Sequence, residues 1–344
     1  MSQAPGLKIA LKRGALVAAA NWPLVAIQFI AESTLKVILG VPVIGGIFLV
    51  VLLLDADVEE VLTGSPSDVV GAVFASLRAN PAALAAFALA FLVVLIGGSI
   101  LTFIVKAGTV AVFVEADAGA GAIERPPLRV QMLRRANRTG IEPFLNGCRR
   151  FGHRYVRLGL VLLLVYGGTA AVYLGLLMLY GSIYRIAGNV GVLLWSTVIL
   201  AAASSAVLVW VTVVNFFYLL TQMIVVAEDV SVRAASGRVF RFLRASLREI
   251  AGIFGVVLLL VLLAMLSSVL ATAGLSLIGF VPVFAIAVLP LQLAAWLVRG
   301  FVFQYLALTA LGAYLAQYRH YLGAPARIHG VPFQPDAVPD RRPA

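Results

Sequence analysis

Charged residues are scarce in this chain of 344 residues: Asp, Glu, Lys and Arg make up 12% of it, while 62% of its residues are hydrophobic. Soluble domains carry about a quarter charged residues and about half apolar residues. The mean hydropathy is correspondingly high, at +1.03. A soluble chain of this length could not bury so much apolar surface. The composition therefore excludes a soluble globular protein and indicates a bilayer as the solvent.

Cysteine and histidine are nearly absent. A single cysteine, Cys148, excludes a disulfide within the chain. His153, His320 and His329 have no metal-ligand spacing with Cys148 or with one another. The sequence has no Gly-x-Ser-x-Gly elbow, and "AGAGA" at 118–122 lacks the lysine of a phosphate-binding loop. We therefore predict no metal, no cofactor, no catalytic residue and no enzymatic activity.

Long apolar runs are what the chain has instead. A spanning helix needs about 20 mostly apolar residues, and the runs predict an all-α membrane protein with six transmembrane helices. A cytoplasmic amphipathic segment (1–21) would precede a membrane domain (22–320), and a Pro-rich cytoplasmic tail would follow (321–344). Pro282 and Pro290 predict a loop or half-helix over 277–290. The six spans are expected at about 22–54, 81–114, 156–184, 190–227, 250–273 and 291–318.

The placement of lysine and arginine predicts the orientation. With six spans, one side of the membrane carries 21 of the 26 basic residues, and the other side carries Arg78 and Arg185. Cytoplasmic loops are enriched in lysine and arginine. Both termini are therefore expected to be cytoplasmic.

Two connecting segments of similar pattern lie on the basic side and suggest an internal duplication. We call residues 115–157 the first elbow and residues 228–249 the second elbow. Each begins with an acid pair, Glu115 and Asp117 or Glu228 and Asp229, continues into a basic amphipathic helix, and leads into a span. Helical spacing places arginines on one stripe in each: Arg149, Arg150, Arg154 and Arg157 in the first, and Arg238, Arg241, Arg244 and Arg248 in the second.

The arginine stripes have two interpretations. Such helices lie in the plane of the membrane interface with their arginines toward anionic headgroups, which makes the eight arginines lipid-headgroup candidates. Alternatively, they mark the cytoplasmic side and neutralise the nearby acids. A nucleic acid partner is not expected, because the arginines sit directly beside apolar spans.

Four ionisable residues fall within predicted spans, where charge is costly and suggests a site. Glu32 and Lys36 are four residues apart, a spacing that favours a self-neutralised pair. Lys106 lies late in its span, where its side chain could extend to the interface. Arg299 lies about two turns, roughly 12 Å, inside the last span. Its candidate neutralisers are Glu32 and backbone carbonyls near Pro290.

A family resemblance rests on two motifs. In "EDVSVRAASGRVFRFLR", the pattern is carried by Glu228, Ala234, Ala235, Arg238, Phe240 and Arg241; in "LTALGAYLAQYRHYLG", it is carried by Tyr314, Tyr318 and Arg319. The chain resembles the membrane domain of glycerophosphoryl diester phosphodiesterases and related six-span bacterial families. It departs from them at Gly237, where serine is frequent, and in having no acid after Arg319. Residues 321–344 are too few for a phosphodiesterase domain, so the resemblance implies architecture in a bacterial cytoplasmic membrane rather than that activity.

These patterns favour a non-enzymatic multi-pass protein of the bacterial inner membrane that binds anionic lipid, with a role in membrane organisation or envelope lipid handling. One alternative is a permease or export component with a path near Arg299, Glu32 and Lys36. Another is a membrane scaffold for a protein partner. Membrane lipids are the expected partners, and a homo-oligomer or protein partner stays open.

Overall fold

The computed structural model describes residues 6–54, 81–124, 130–186, 190–279 and 282–323. Every regular element in these ranges is a helix. The nine described helices are α1 (Leu7–Ala20), α2 (Trp22–Leu54), α3 (Pro81–Gly119), α4 (Val130–Ala136), α5 (Ile141–Ile186), α6 (Val190–Ala227), α7 (Val232–Ala245), α8 (Leu247–Gly279) and α9 (Pro282–Gly323).

Six of these helices are long and apolar enough to cross a membrane. The qualifying stretches are Trp22–Pro42, Ala85–Gly119, Ile141–Ile183, Val190–Ala227, Leu247–Ser276 and Pro290–Gly323. In a bilayer a helix satisfies its own backbone hydrogen bonds, so runs of this length and composition form spanning helices. The prediction of an all-α, six-span membrane protein is confirmed.

Several boundaries differ from the sequence-based expectation. Residues 277–290 were expected to form a loop or half-helix, but residues 277–279 end α8 and residues 282–290 belong to the same helix as the last span, with Pro290 inside α9. Pro282 occupies the first helical position, where a backbone N–H would have no partner within the helix, so its absence costs nothing. Pro290 is tolerated inside the helix because neighbouring groups in a membrane protein can satisfy the backbone groups that a proline leaves free. Residues 55–80, which include five acidic residues, and the tail from 324 onward lie outside the described residues.

The chain divides into two compact units. The first comprises Met1–Val25, Val110–Pro143 and Val213–Ala344, and the second comprises Ala26–Thr109 and Phe144–Thr212. Within the first unit are α1, α4, α7, α8, α9 and the carboxyl-terminal parts of α3 and α6. The second holds most of α2, α3 and α5 and the first half of α6.

Helix α1 packs against α9 in the first unit through two glycines. A Cβ added at Gly312 would lie 2.7 Å from the Cα of Gly14 and 3.1 Å from the ring of Phe113. The Tyr305 hydroxyl donates a hydrogen bond of 3.0 Å to the Ala15 carbonyl. The two backbones therefore approach closely because neither glycine has a side chain at the contact.

An aromatic core fills the first unit. The ring of Phe216 contacts Phe254 and Tyr314 edge-on, at 5.4 and 5.6 Å between centroids. Phe242 of α7 meets Tyr318 of α9 in the same way at 5.0 Å. Edge-to-face pairs at these distances are favourable beyond their buried area. They attach α7 directly to the carboxyl-terminal half of α9, and α8 through Phe216 of α6.

Asn21, between α1 and α2, is fully buried and joins this junction to the segment after α4. Its Nδ2 donates to the carbonyls of Val17 and Ala136, at 3.0 and 2.8 Å. Its Oδ1 accepts from the Arg138 amide and the Thr139 hydroxyl, at 3.0 and 3.1 Å. A buried amide with this many partners fixes the path of the first elbow.

Polar and close-packed contacts connect the helices of the second unit. The Trp210 indole donates to the Thr169 hydroxyl at 3.1 Å, and Tyr173 and Ser204 share a hydrogen bond of 3.0 Å, which join α5 to α6. The ring of Phe103 lies directly against Gly159, which brings α3 close to α5. Small and hydroxyl-bearing residues are typical of helix contacts in membranes.

Candidate functional site

The acid pair of the second elbow holds α7 in place. Glu228 forms an ion pair with Arg238 of α7 and accepts a hydrogen bond from the Tyr318 hydroxyl of α9. Asp229, next to it, has a positive φ of 51°, which turns the chain from α6 toward α7. Ser231 then caps α7, because its hydroxyl accepts a hydrogen bond from the Ala234 amide. One of the four predicted stripe arginines is therefore committed to an internal contact.

The acid pair of the first elbow is used differently. Asp117 is fully buried, and its carboxylate contacts the Arg13 guanidinium at 2.7 Å and that of Arg319 at 2.5 Å. Arg13 also reaches Glu124 at 3.0 Å. Glu115, the other member of the pair, is exposed. Asp117 thus connects α1, α3 and α9 through charge-assisted contacts.

Two adjacent residues of α9 connect both elbows. Tyr318 contacts Glu228 of the second elbow, and Arg319 contacts Asp117 of the first. Arg319 also donates to the Val114 carbonyl at 3.1 Å. Tyr318 and Arg319 therefore hold one acid of each elbow against the same helix.

Helix α7 has an attached side and an exposed side. Ala235, Val239 and Phe242 are buried, whereas Arg241 and Arg244 are exposed. The Arg244 guanidinium lies 5.0 Å from the centroid of the Phe240 ring, and that ring is itself 52% exposed.

The four arginines of the predicted second stripe thus lie in three different surroundings. Arg238 is half-buried in the ion pair, Arg241 and Arg244 are free of the core, and Arg248 lies on α8. A bend at Ser246 separates α7 from α8, so Arg248 does not share the helix of the other three. The sequence spacing could not show this interruption, because no proline or glycine marks it.

The first arginine stripe was predicted to lie on a separate helix in the plane of the membrane, but the structure has no separate helix there. Arg149, Arg150, Arg154 and Arg157 lie on α5, which is continuous from Ile141 through the span. Arg150 and Arg154 pack over the buried Phe151 ring, at 5.3 and 5.9 Å from its centroid. No proline lies between stripe and span, and the helix continues through Gly159, so the stripe extends the span instead.

The intramembrane pair also differs from the prediction. Glu32 Oε1 lies 3.0 Å from Lys106 Nζ, so α2 and α3 share an ion pair across helices. Two expectations had rested on spacing within a single segment. One was a pair between Glu32 and Lys36, and the other was that the Lys106 side chain extends to the interface. Lys36 is exposed. A cross-helix ion pair within the second unit thus joins two of the four intramembrane candidates.

Arg299, the fourth candidate, lines a pocket between α8 and α9. The pocket has a volume of about 270 Å³ and includes Ser267, Ser268 and Phe303. The Arg299 guanidinium lies 5.7 Å from the centroid of the Phe303 ring. Backbone carbonyls near Pro290 were expected partners of Arg299. The contact that the structure shows is with the aromatic ring of Phe303, about one turn after Arg299 in the same helix.

A cluster of metal ligands or a known relative would indicate a function for the chain. Within the described residues, no group of three His, Cys, Asp or Glu side chains is close enough together to hold a metal ion. No family model matches the chain, and neither a curated protein nor a solved structure matches it. The contacts of its own residues therefore carry the functional inference.

Proposed function

We propose that this multi-pass membrane protein is not an enzyme and binds anionic lipid headgroups through the exposed side of α7. One observation carries the proposal: α7 is fixed to the rest of the first unit by Arg238, Val239 and Phe242, while Arg241 and Arg244 are exposed. A helix that is anchored by one side presents its arginines in a fixed arrangement, which lowers the ordering cost of binding.

The chemistry of this side suits an anionic membrane surface. Each arginine near such a surface contributes about 1 kcal/mol. Phe240 is exposed beside Arg244, and phenylalanine is among the residues that interfacial helices insert at the boundary between headgroups and acyl chains. The arginines of α5 that flank its span, including the exposed Arg149 and Arg157, supply a second basic set. Binding of this kind weakens as salt increases.

The proposed location is the cytoplasmic membrane of a bacterium, with both termini in the cytoplasm. The 21 basic residues expected on one side support this orientation. The resemblance to the membrane domain of glycerophosphoryl diester phosphodiesterases supports the bacterial membrane. Membrane organisation or envelope lipid handling are the roles that fit a lipid-binding protein of this kind.

A permease is the second candidate function, and the pocket at Arg299 is the observation that favours it. Its predicted path also included Glu32 and Lys36, but Glu32 is paired with Lys106. The Arg299 pocket is lined mainly by alanine, valine and phenylalanine side chains. Such walls suit an amphiphile better than a hydrophilic solute, so lipid binding remains the preferred function over transport or a scaffold role.

Native mass spectrometry of the detergent-purified protein with added phosphatidylglycerol tests the proposal. The double substitution Arg241→Gln and Arg244→Gln removes two contributions of about 1 kcal/mol each, so retention of phosphatidylglycerol should fall about 30-fold. Arg238 is kept, because it holds Glu228. Phosphatidylcholine, which has no net charge, should be retained equally weakly by both proteins.

The matched control is Arg134→Gln with Arg135→Gln, two exposed arginines of α4 in the same unit. This control removes the same charge and should leave retention within about threefold of the wild type. An equal loss in both double variants would show a general charge effect instead of a site on α7. Unchanged retention in the α7 variant would refute the proposal.

A further inference from the structure

The pocket at Arg299 places a positive charge at the depth of the apolar part of a span. Arg299 lies nine residues, about 13 Å at 1.5 Å per residue, inside the apolar stretch Pro290–Gly323. Ionisable side chains at such depth are rare in membrane helices and mark ligand or ion sites. The arginine is exposed at the pocket instead of being enclosed between helices.

The donors of the pocket match a carboxylate. The Arg299 guanidinium lies over the Phe303 ring, 5.7 Å from its centroid. The planar guanidinium has N–H groups along its edge that can bind a carboxylate through two parallel hydrogen bonds. Ser267 and Ser268 belong to the lining of the same pocket from α8. Among the described residues that line it, none carries a carboxylate that could neutralise Arg299.

The remaining walls match a hydrocarbon chain. Ala264, Ala271, Ala295, Val298 and Val302 complete the lining, and the alanines leave the space that larger side chains would fill. The volume of about 270 Å³ is just below the range of about 300–1,000 Å³ that is usual for small-molecule sites. A two-chain phospholipid is too large for it, whereas the carboxylate and first methylenes of one acyl chain fit.

We infer that this pocket binds the carboxylate end of a fatty acid from within the membrane, with Arg299 as the anion-binding residue. This site is separate from the arginines of α7. Its occupant is a single-chain carboxylate, whereas the exposed side of α7 faces the headgroups of intact lipids. Failure of either proposal leaves the other standing.

The test is native mass spectrometry of the full chain in a nonionic detergent with added palmitate. Hexadecanol, which has the same chain length without the charge, is the matched ligand. The wild type should retain palmitate at least tenfold better than hexadecanol. Arg299→Gln should remove that preference, and Arg299→Lys should restore part of it, because lysine keeps the charge without the bidentate geometry.

Two further variants distinguish the effect of the Arg299 charge from the effects of pocket volume and of misfolding. Ala295→Leu narrows the pocket while keeping Arg299, so it should lower retention of palmitate even if Arg299→Gln proves poorly folded by size-exclusion chromatography. Arg241→Gln with Arg244→Gln should retain palmitate as the wild type does. Equal palmitate retention by the wild type and Ala295→Leu would overturn the inference. So would equal retention of palmitate and hexadecanol, or displacement of palmitate by phosphatidylglycerol.

Discussion

At the scale of single residues, the decisive side chain is Asp117. The sequence shows two acids at the end of α3, and the structure buries Asp117 while leaving Glu115 exposed. Asp117 neutralises two arginines that come from opposite ends of the chain, Arg13 and Arg319. Removing one partner of a buried ion pair leaves an uncompensated charge, which is more costly than losing an exposed pair.

We expect Asp117→Asn to lower the free energy of unfolding by about 3 kcal/mol. This value is at the lower end for a buried pair because the Arg319 side chain is 36% exposed and can regain hydration. Glu115→Gln, two residues earlier, should change stability by less than about 0.5 kcal/mol. Thermal unfolding in detergent compares the two variants, and equal midpoints would contradict the role assigned to Asp117.

At the scale of helices, α1 depends on a contact that only glycine permits. A Cβ added at Gly14 would collide with the backbone of α9 at Thr309 and Ala313. Backbone atoms cannot move aside as a flexible side chain can. Helix α1 also supplies Arg13 to the Asp117 network, so the close approach and the ion pairs support each other.

The same substitution at two glycines should have opposite effects. Gly14→Ala should destabilise the protein by about 2 kcal/mol through overpacking. Gly237→Ala, on α7, should be neutral or stabilising by up to about 1 kcal/mol, because nothing lies within 4 Å of the added Cβ and alanine favours helix. Differential scanning fluorimetry in detergent can compare them. A stabilising Gly14→Ala would exclude the close approach of α1 to α9.

The helices could be predicted better than their contacts. Apolar runs of about 20 residues specify spans directly, and the range 190–227 was predicted with the bounds that α6 has. Partners distant in sequence leave no such pattern. Nothing in the spacing relates Glu32 to Lys106, or Asp117 to Arg13, because each pair comes together only when separate helices pack. The buried role of Asn21 was missed for the same reason.

At the scale of the whole molecule, charge and topology support the same orientation. The acids Asp117, Glu124 and Glu228 pair with Arg13, Arg319 and Arg238 within the first unit. These three acids are therefore neutralised internally, while exposed arginines remain on α4 and α7. A surface of this sign is expected on the cytoplasmic side of a bacterial membrane.

Site-directed labelling tests that orientation through α6. This helix has 38 residues, about 57 Å at 1.5 Å per residue, and a bilayer with its headgroups is about 40–45 Å thick. Val190 at its start and Ser236 beyond its end must therefore lie on opposite sides if α6 spans. In a Cys148→Ala background, a membrane-impermeant maleimide should label Ser236→Cys and Lys8→Cys in inverted inner-membrane vesicles. It should label Val190→Cys in spheroplasts. The reverse pattern would invert the proposed topology and place the arginines of α7 away from the cytoplasmic leaflet.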